Sequence, residues 1–306
     1  MMNIVSCIDD NFALYCGVML TSLFENNKDE NVTVHIVVDT ISNFNKNNLV
    51  KIVSRYGQSI KFYGIDSDII HYCPVVEGRY TLSTYYRILL PSLLSNDISK
   101  VLYLDSDIII RGRIDELWNI DIRNFSCGVV IDSLAQSIDE IFDRLEYSKD
   151  LKYFNAGVML MNLDYWRKYD LQNETLSFIR KNPEKIKIVD QDALNYILRD
   201  SKLIISYKYN VLDPLYRVDP IYDKADFCEI NDSIKNPIIL HFSQRKPWKI
   251  YCLHPLRNEY YKYLKISKLK TINKRVMISD IKWIVSLFLF KIDLLKRESY
   301  NYIRNI

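Results

Sequence analysis

The sequence predicts an α/β fold built on a mostly parallel, doubly wound central sheet flanked by helices. Three observations carry that expectation. Short apolar runs alternate with segments of helical periodicity over the first 65 residues, the pattern of strand–helix–strand units. Later runs such as CGVVID and PIILHFS are of strand length and stand apart from the helical stretches,. Several of these runs end in acidic or imidazole side chains, and ligands bind at that carboxyl edge in open α/β sheets.

The elements follow in order. Ile4 to Ile8 reads as the first strand, ending in Asp9-Asp10-Asn11, and residues 12–25 as a helix with a broad apolar face. Val32 to Val38 is the second strand. Ser42 is placed to cap a helix over 44–56 that stops at Gly57,. Ile60 to Ile65 is the third strand. LSTYYRILLPSLL is helical and leads into KVLYLDSDIIIRG (residues 100–112), read as one buried strand carrying Asp105 and Asp107,. CGVVID closes on Asp132. YFNAGVMLMNLDYWRKYD is a strand running into a helix, and 171–182 and 190–200 are helical. KLIISYKYN and PIILHFS are strands, the second ending at His241. Residues 256–270 and 276–300 are helical and basic. The chain divides into a sheet-bearing domain, 1–262, and a basic helical C-terminal extension, 263–306. The polar groups at the strand ends converge on one crevice if their strands are neighbours, which the sequence leaves open.

Composition narrows the function. The 306 residues are 48% hydrophobic and 26% charged, ordinary for a soluble globular protein. A net charge of +3 is too small to imply nucleic acid,. From Lys265 to Ile306 there are ten Lys/Arg against three Asp/Glu, so the basic excess belongs to the tail. Within 276–300, Lys282, Ser286, Asp293, Arg297 and Tyr300 share one helical face, and Trp283, Phe288 and Phe290 lie among the apolar remainder. A basic amphipathic helix suits a membrane surface; packing on its own domain or on another subunit is the alternative. Six scattered cysteines without CxxC spacing read as reduced core residues,. The N-terminus lacks signal-peptide features, and the apolar run 283–290 falls far short of the roughly 20 residues of a membrane span,. A cytoplasmic protein is expected, peripheral on the inner membrane surface if the tail binds there. Seven glycines provide neither GxGxxG nor GxxxxGK,.

Asp105 and Asp107 pose the chemical question. Residues i and i+2 of an extended segment project to one side, and two carboxylates held close repel unless a cation sits between them. A divalent ion answers this: oxygen ligands suit Mg²⁺ or Mn²⁺, and an imidazole such as His241 tilts the choice to Mn²⁺. Solvated turn residues after a strand are the plain alternative.

Six segments in order make a more specific pattern: Asp9-Asp10-Asn11, STYYRILLP with Arg87, KVLYLDSDIII, FNAGVMLMNLDYWR, VDQDALN and HFSQRKPW. Together, over residues 3 to about 262, they resemble the family 8 glycosyltransferases, retaining enzymes that include bacterial lipopolysaccharide galactosyl- and glucosyltransferases. The resemblance implies a Rossmann-like nucleotide-diphospho-sugar transferase (GT-A) fold and a UDP-sugar donor. It implies that Asp9 and Asn11 hold the uridine, and that Asp105, Asp107 and His241 bind Mn²⁺ (or Mg²⁺) with Ser106 near the ribose. Arg87, Asp132, Asn155, Asp190 and Gln191 would surround the sugar, Asp190 and Gln191 being the catalytic candidates, and Lys246 would contact the phosphates. The implied acceptor is a lipopolysaccharide, capsule or other glycan or glycolipid. Asp190 is equally suited to cap the helix it begins. The sequence departs from the family where glycine is usual three residues after the metal histidine: Gln244 stands there, in a loop about one residue short, which puts the reach of Lys246 in question. A catalytically impaired sugar-nucleotide-binding relative and a metal-dependent phosphohydrolase are the rival readings.

Overall fold

Among the described residues, aliphatic and β-branched runs form ten strands: β1 (Met2–Cys7), β2 (Val32–Val38), β3 (Ser59–Gly64), β4 (Lys100–Leu104), β5 (Ile108–Ile110), β6 (Cys127–Ile131), β7 (Phe154–Asn162), β8 (Lys202–Ile204), β9 (Val211–Leu212) and β10 (Ile239–His241). They are seen in a computed structural model, which describes residues 1–75, 81–217, 222, 224–249 and 252–269, with 285, 288 and 289 in the tail. Seven strands make one sheet in the order β3-β2-β1-β4-β7-β6-β8. All of its strands run the same way except β7, which is antiparallel to both β4 and β6. Mostly parallel, doubly wound architecture is therefore what the chain adopts. Every residue of β2 and β6 is buried, as in a parallel sheet covered on both faces.

Alternation along the strands divides the core in two. Ile4 and Leu102 point to the face covered by helices Ala13–Asn26 and Asn43–Arg55, where Leu20 and Ile52 meet them. Val5 and Tyr103 point to the other face, with Tyr85, Leu90, Trp166 and Leu194,. Local chemistry sets the helix ends. The Ser42 hydroxyl accepts from the Asn45 amide at 3.3 Å, an N-cap, and Gly57 follows the next helix end at φ +68°, a conformation that favours glycine.

Three segments depart from expectation. KVLYLDSDIIIRG is not one strand: β4 ends at Leu104, the chain turns through Asp105–Asp107, and β5 joins a separate sheet of order β5-β10-β9. The isoleucines are as buried as a continuous strand would make them, so burial gave no warning of the break. LSTYYRILLPSLL is a 3₁₀ helix over Leu82–Leu89 before an α-helical turn, Leu90–Leu93. KLIISYKYN is strand only at Lys202–Ile204, then a 3₁₀ turn at Tyr207–Tyr209.

Helix Arg257–Ser267 runs across the expected boundary at 262/263. It packs on helix Ala13–Asn26, where Asn26 donates to the Tyr263 hydroxyl at 2.8 Å, and Arg55 donates to the carbonyls of Ile266 and Ser267 at 3.1 and 3.2 Å. The expected helix over 276–300 lies outside the described residues apart from 285, 288 and 289. Among the described residues no helix is long and apolar enough to cross a membrane.

Asn195 ties helix Val189–Ile197 to the start of β7. Its Oδ1 accepts from the buried Phe154 amide at 2.8 Å, and its Nδ2 donates to the Phe154 carbonyl at 2.9 Å. Asn195→Leu strips that amide of its acceptor and is expected to cost about 1–3 kcal/mol, read from the urea midpoint. An unchanged midpoint would show that this anchor is dispensable.

Candidate active site

Pairing of the small sheet brings distant residues together. β10 runs antiparallel to β5 with His241 opposite Ile108, and the Phe242 amide donates to the Asp107 carbonyl at 3.1 Å. The imidazole is thereby delivered to the Asp105–Asp107 turn. From the other side comes β7. Its pairing with β6 slips between Val129 and Val130, so that Val129 faces Met159 and Val130 faces Asn155. The extra residues, Ala156 to Val158, arch toward β4, where the Gly157 carbonyl accepts from the Asp105 amide at 2.9 Å. Such a bulge re-aims side chains, and here it turns Asn155 and Gly157 into the cleft.

Among the described residues, Asp105, Asp107 and His241 offer ligand atoms that all lie within 4.8 Å of one another. His241 Nε2 is 3.3 Å from Asp107 Oδ1 and 4.0 Å from Asp105 Oδ2. Gly157 forms the floor: a Cβ there would lie 2.3 Å from His241 Cε1 and 2.8 Å from Asp105 Oδ2. A cradle of two carboxylates and an imidazole, kept open by the one residue without a side chain, fits a divalent cation. Lys246 Nζ contacts Asp107 Oδ2 and donates to the carbonyls of Phe242 and Ser243 at 3.0 and 3.1 Å. Burial works to raise the Asp107 carboxyl, but Lys246 and His241 outweigh it and hold it below the usual carboxylate range,.

Arg87, 4% exposed, lies behind the cradle. Its guanidinium is 3.2 Å from Asp105 Oδ1 and 4.3 Å from the centroid of the Tyr103 ring, and it donates to the Ala156 carbonyl. Arg87 Nε is also 2.9 Å from Asp190 Oδ2, but it donates to the Thr84 carbonyl at 3.0 Å, so the Asp190 contact is an ion pair without an aligned hydrogen bond. Burial opposes the Arg87 charge, yet Asp105 and Asp190 more than restore it. Asp190 fares differently. Burial pushes its carboxyl up to about 7 despite Arg87, with Asp105 adding to the rise. One guanidinium serves two acids, and the more buried of them stays short of compensation.

A ring of amides completes the wall. Asn155 Nδ2 lies 3.2 Å from both Asp132 Oδ2 and Gln191 Oε1. Gln191 donates to Asp132 Oδ2 at 3.3 Å and accepts from the Ala156 amide at 3.1 Å. Asn210 donates to Asn155 Oδ1 at 3.0 Å and meets His241 Nδ1 at 2.9 Å. Asn210 was not singled out in the sequence; its only signal is an asparagine closing the run SYKYN, and nothing local marks it. Tyr103, which donates to Asp105 Oδ1 at 2.7 Å, went unmarked for the same reason.

Arg87, Asp105, Ser106, Asp107, Asn155, Asp190, Gln191, His241 and Lys246 line one cleft. Asp132 lies one hydrogen bond behind it, and its Oδ1 caps helix Ser133–Gln136 through the Ala135 amide at 3.1 Å. Asp9 and Asn11 belong to the turn whose Ile8 and Phe12 line the cleft. Asp9 accepts from the Asn11 amide at 2.8 Å and from the Thr81 hydroxyl at 3.3 Å, while Asn11 is exposed. Gln244 is engaged by Arg217, and its replacement of glycine does not keep Lys246 out of the cleft.

The family whose model matches is described as Glycosyl transferase family 8, over residues 3–252. General stress protein A of Bacillus subtilis is 30% identical over 89% of this chain and 96% of its own. A lipopolysaccharide 1,2-glucosyltransferase of Escherichia coli is 28% identical over 83% of this chain and 79% of its own. A lipopolysaccharide 1,3-galactosyltransferase of Salmonella typhimurium is 27% identical over 83% and 75%. Among solved structures, the galactosyltransferase LgtC, in complex with donor and acceptor sugar analogs, superimposes with a TM-score of 0.81 over 89% of this chain and 98% of its own, at 23% identity. The GT-A-type fold expected from the sequence is thus the fold observed.

Two outcomes test the site. Gly157→Ala places a methyl group in the cradle and is expected to weaken Mn²⁺ binding by at least about tenfold, measured by electron paramagnetic resonance of free Mn²⁺; unchanged affinity would remove the cradle as the metal site. Asp190 holds its proton up to about 7 in the folded chain, against 3.8 ordinarily. The stability tied to that proton is therefore complete below about pH 4 and is lost as pH rises toward 7. Relative to wild type, Asp190→Asn should gain on the order of a few kcal/mol across that window. Parallel stability–pH curves for the two proteins would contradict the raised value.

Proposed function

Because the chain belongs to glycosyl transferase family 8, we propose that this glycosyltransferase is a retaining enzyme that moves a hexose, glucose or galactose, from a UDP-sugar to a lipopolysaccharide, capsule or other surface-glycan acceptor. Mn²⁺ is the cofactor assigned to Asp105, Asp107 and His241, with Mg²⁺ second. The convergence of those three residues over Gly157 carries the reading. The lipopolysaccharide glucosyl- and galactosyltransferases among its relatives support the choice of hexose and acceptor.

A divalent ion supplies Lewis-acid stabilisation of a departing diphosphate. The chain's own residues do the rest. Lys246, held by two backbone carbonyls and Asp107, brings a further cation to the phosphates. Asp9 and Asn11 hold the uridine, and Ser106 lies by the ribose. Arg87, Asp132, Asn155, Asp190 and Gln191 orient the sugar, whose anomeric carbon turns positive as its bond to phosphate breaks. Asp190 and Gln191 offer oxygens beneath it. The Gln191 carbonyl already accepts from Asn155 and from the Ala156 amide. With both lone pairs engaged it meets positive charge as a dipole and is a poor nucleophile, which supports attack by the acceptor on the face the diphosphate leaves over a covalent intermediate. The basic extension is assigned to the cytoplasmic face of the membrane, near a lipid-linked acceptor. Its described residues Val285 and Phe288 are exposed.

A screen of UDP- and GDP-sugars with Mn²⁺ or chelator tests the reading. UDP-glucose or UDP-galactose should be turned over only with metal, and Asp107→Asn should lower turnover by on the order of 10²–10³-fold with the unfolding midpoint preserved. Activity indifferent to chelator would end the metal-assisted mechanism. Phosphate release without preference for uridine would indicate the phosphohydrolase.

A further inference from the structure

We propose that Asn210 is a positioning residue that locks His241 as the Nδ1–H tautomer, leaving Nε2 as the atom offered to the cation. The inference rests on the metal reading of the cradle, but its central step concerns the free protein. A side-chain amide presents two ends of similar shape, so its orientation has to follow from its neighbours. Here the neighbours decide it. The Gly157 amide is main-chain N–H and can only donate; it meets the Asn155 side chain at 3.0 Å, so that atom is Oδ1. The other end of Asn155 faces Asp132 Oδ2 at 3.2 Å, an acceptor, and must be NH₂. Asn155 is thereby oriented from both ends.

The polarity then passes along the chain. The Asn210 atom 3.0 Å from Asn155 Oδ1 must be its NH₂. Its oxygen is therefore the atom 2.9 Å from His241 Nδ1, and Nδ1 must carry a proton. A neutral imidazole protonated at Nδ1 has its lone pair on Nε2, the nitrogen facing Asp107 and Asp105. Asn155, Asn210 and His241 are all buried, Asn210 completely, so solvent does not compete for these bonds. Metal-ligating histidines are commonly oriented by such a partner on the second ring nitrogen. In this chain the orientation originates at Asp132 and the Gly157 backbone, so the residues assigned to the sugar also set the donor atom offered to the cation.

The test uses the full-length chain labelled with ¹⁵N. Ring-nitrogen spectra are taken without metal at about pH 8, above the ordinary imidazole range. The sequence has four histidines, and His241→Gln identifies the signals of interest. The expected result is a protonated Nδ1; an unprotonated Nδ1 in wild type overturns the proposal without any variant of Asn210. Mn²⁺ affinity is then compared by electron paramagnetic resonance. Asn210→Leu should lose about 10–100-fold and show mixed tautomers, with thermal unfolding as the check on folding. Asn210→Asp keeps an acceptor for Nδ1–H but sets its second oxygen against Asn155 Oδ1, so it should keep the proton on Nδ1 with an affinity between those of wild type and Asn210→Leu. Wild-type affinity in a folded Asn210→Leu variant, or loss of the Nδ1 proton in Asn210→Asp, refutes the lock. Failure of wild type to bind Mn²⁺ refutes instead the metal reading, which the tautomer spectrum does not test.

Discussion

Three carboxylates crowd one cleft, and the buried guanidinium of Arg87 is the interaction on which their arrangement depends. It sits between Asp105 and Asp190 and reaches the Ala156 carbonyl. It thus fastens the end of β4, the start of helix Val189–Ile197 and the bulge of β7 to helix Leu82–Leu89. A buried charge without partners is strongly disfavoured, so drawing any of these elements away from Arg87 is costly. Asp107 depends on a different cation, Lys246, from the far end of the chain. The acidic cleft is stabilised by two cations from separate elements, and the remaining negative charge at Asp105 and Asp107 faces the cradle.

Asp190 and Gln191 owe their position to a strained turn. Val189 has φ +38°, a left-handed conformation costly for a β-branched side chain, on the order of 1–3 kcal/mol. Asp192, fully buried, accepts from the amides of Lys187 and Ile188 at 2.8 and 2.7 Å and pairs with Arg144 at 2.9 Å. The turn is held from behind by one aspartate while the next acid along, Asp190, faces the cleft. In VDQDALN the two aspartates therefore do different work: one holds backbone, and the other lines the site.

Much of the fold was legible because its signals are local. Ser42 and Gly57 mark helix ends through their own side-chain and backbone chemistry, and β2 falls on the predicted residues. Asp105, Asp107, His241, Arg87 and Gln191 could be picked out because they stand in ordered motifs of reactive residue types. The break at Asp105 was not legible. Ile108–Ile110 are buried whether they continue β4 or pair with β10, and hydrophobicity does not distinguish those choices. Asn210 was hidden for a related reason: a buried asparagine acquires meaning only from the atoms that meet it.

Periodicity and motif are properties of neighbours along the chain, so the alternation of strands and helices, the class of chemistry and most of the reactive side chains can be read from residue order. Which of those side chains share a cleft, which stand behind it, and which nitrogen of His241 faces the acids emerge when the chain is folded. Those outcomes depend on hydrogen-bond polarity passed between Asn155, Asn210 and His241, residues 55 and 31 positions apart, and on a second sheet whose pairing no local pattern encodes.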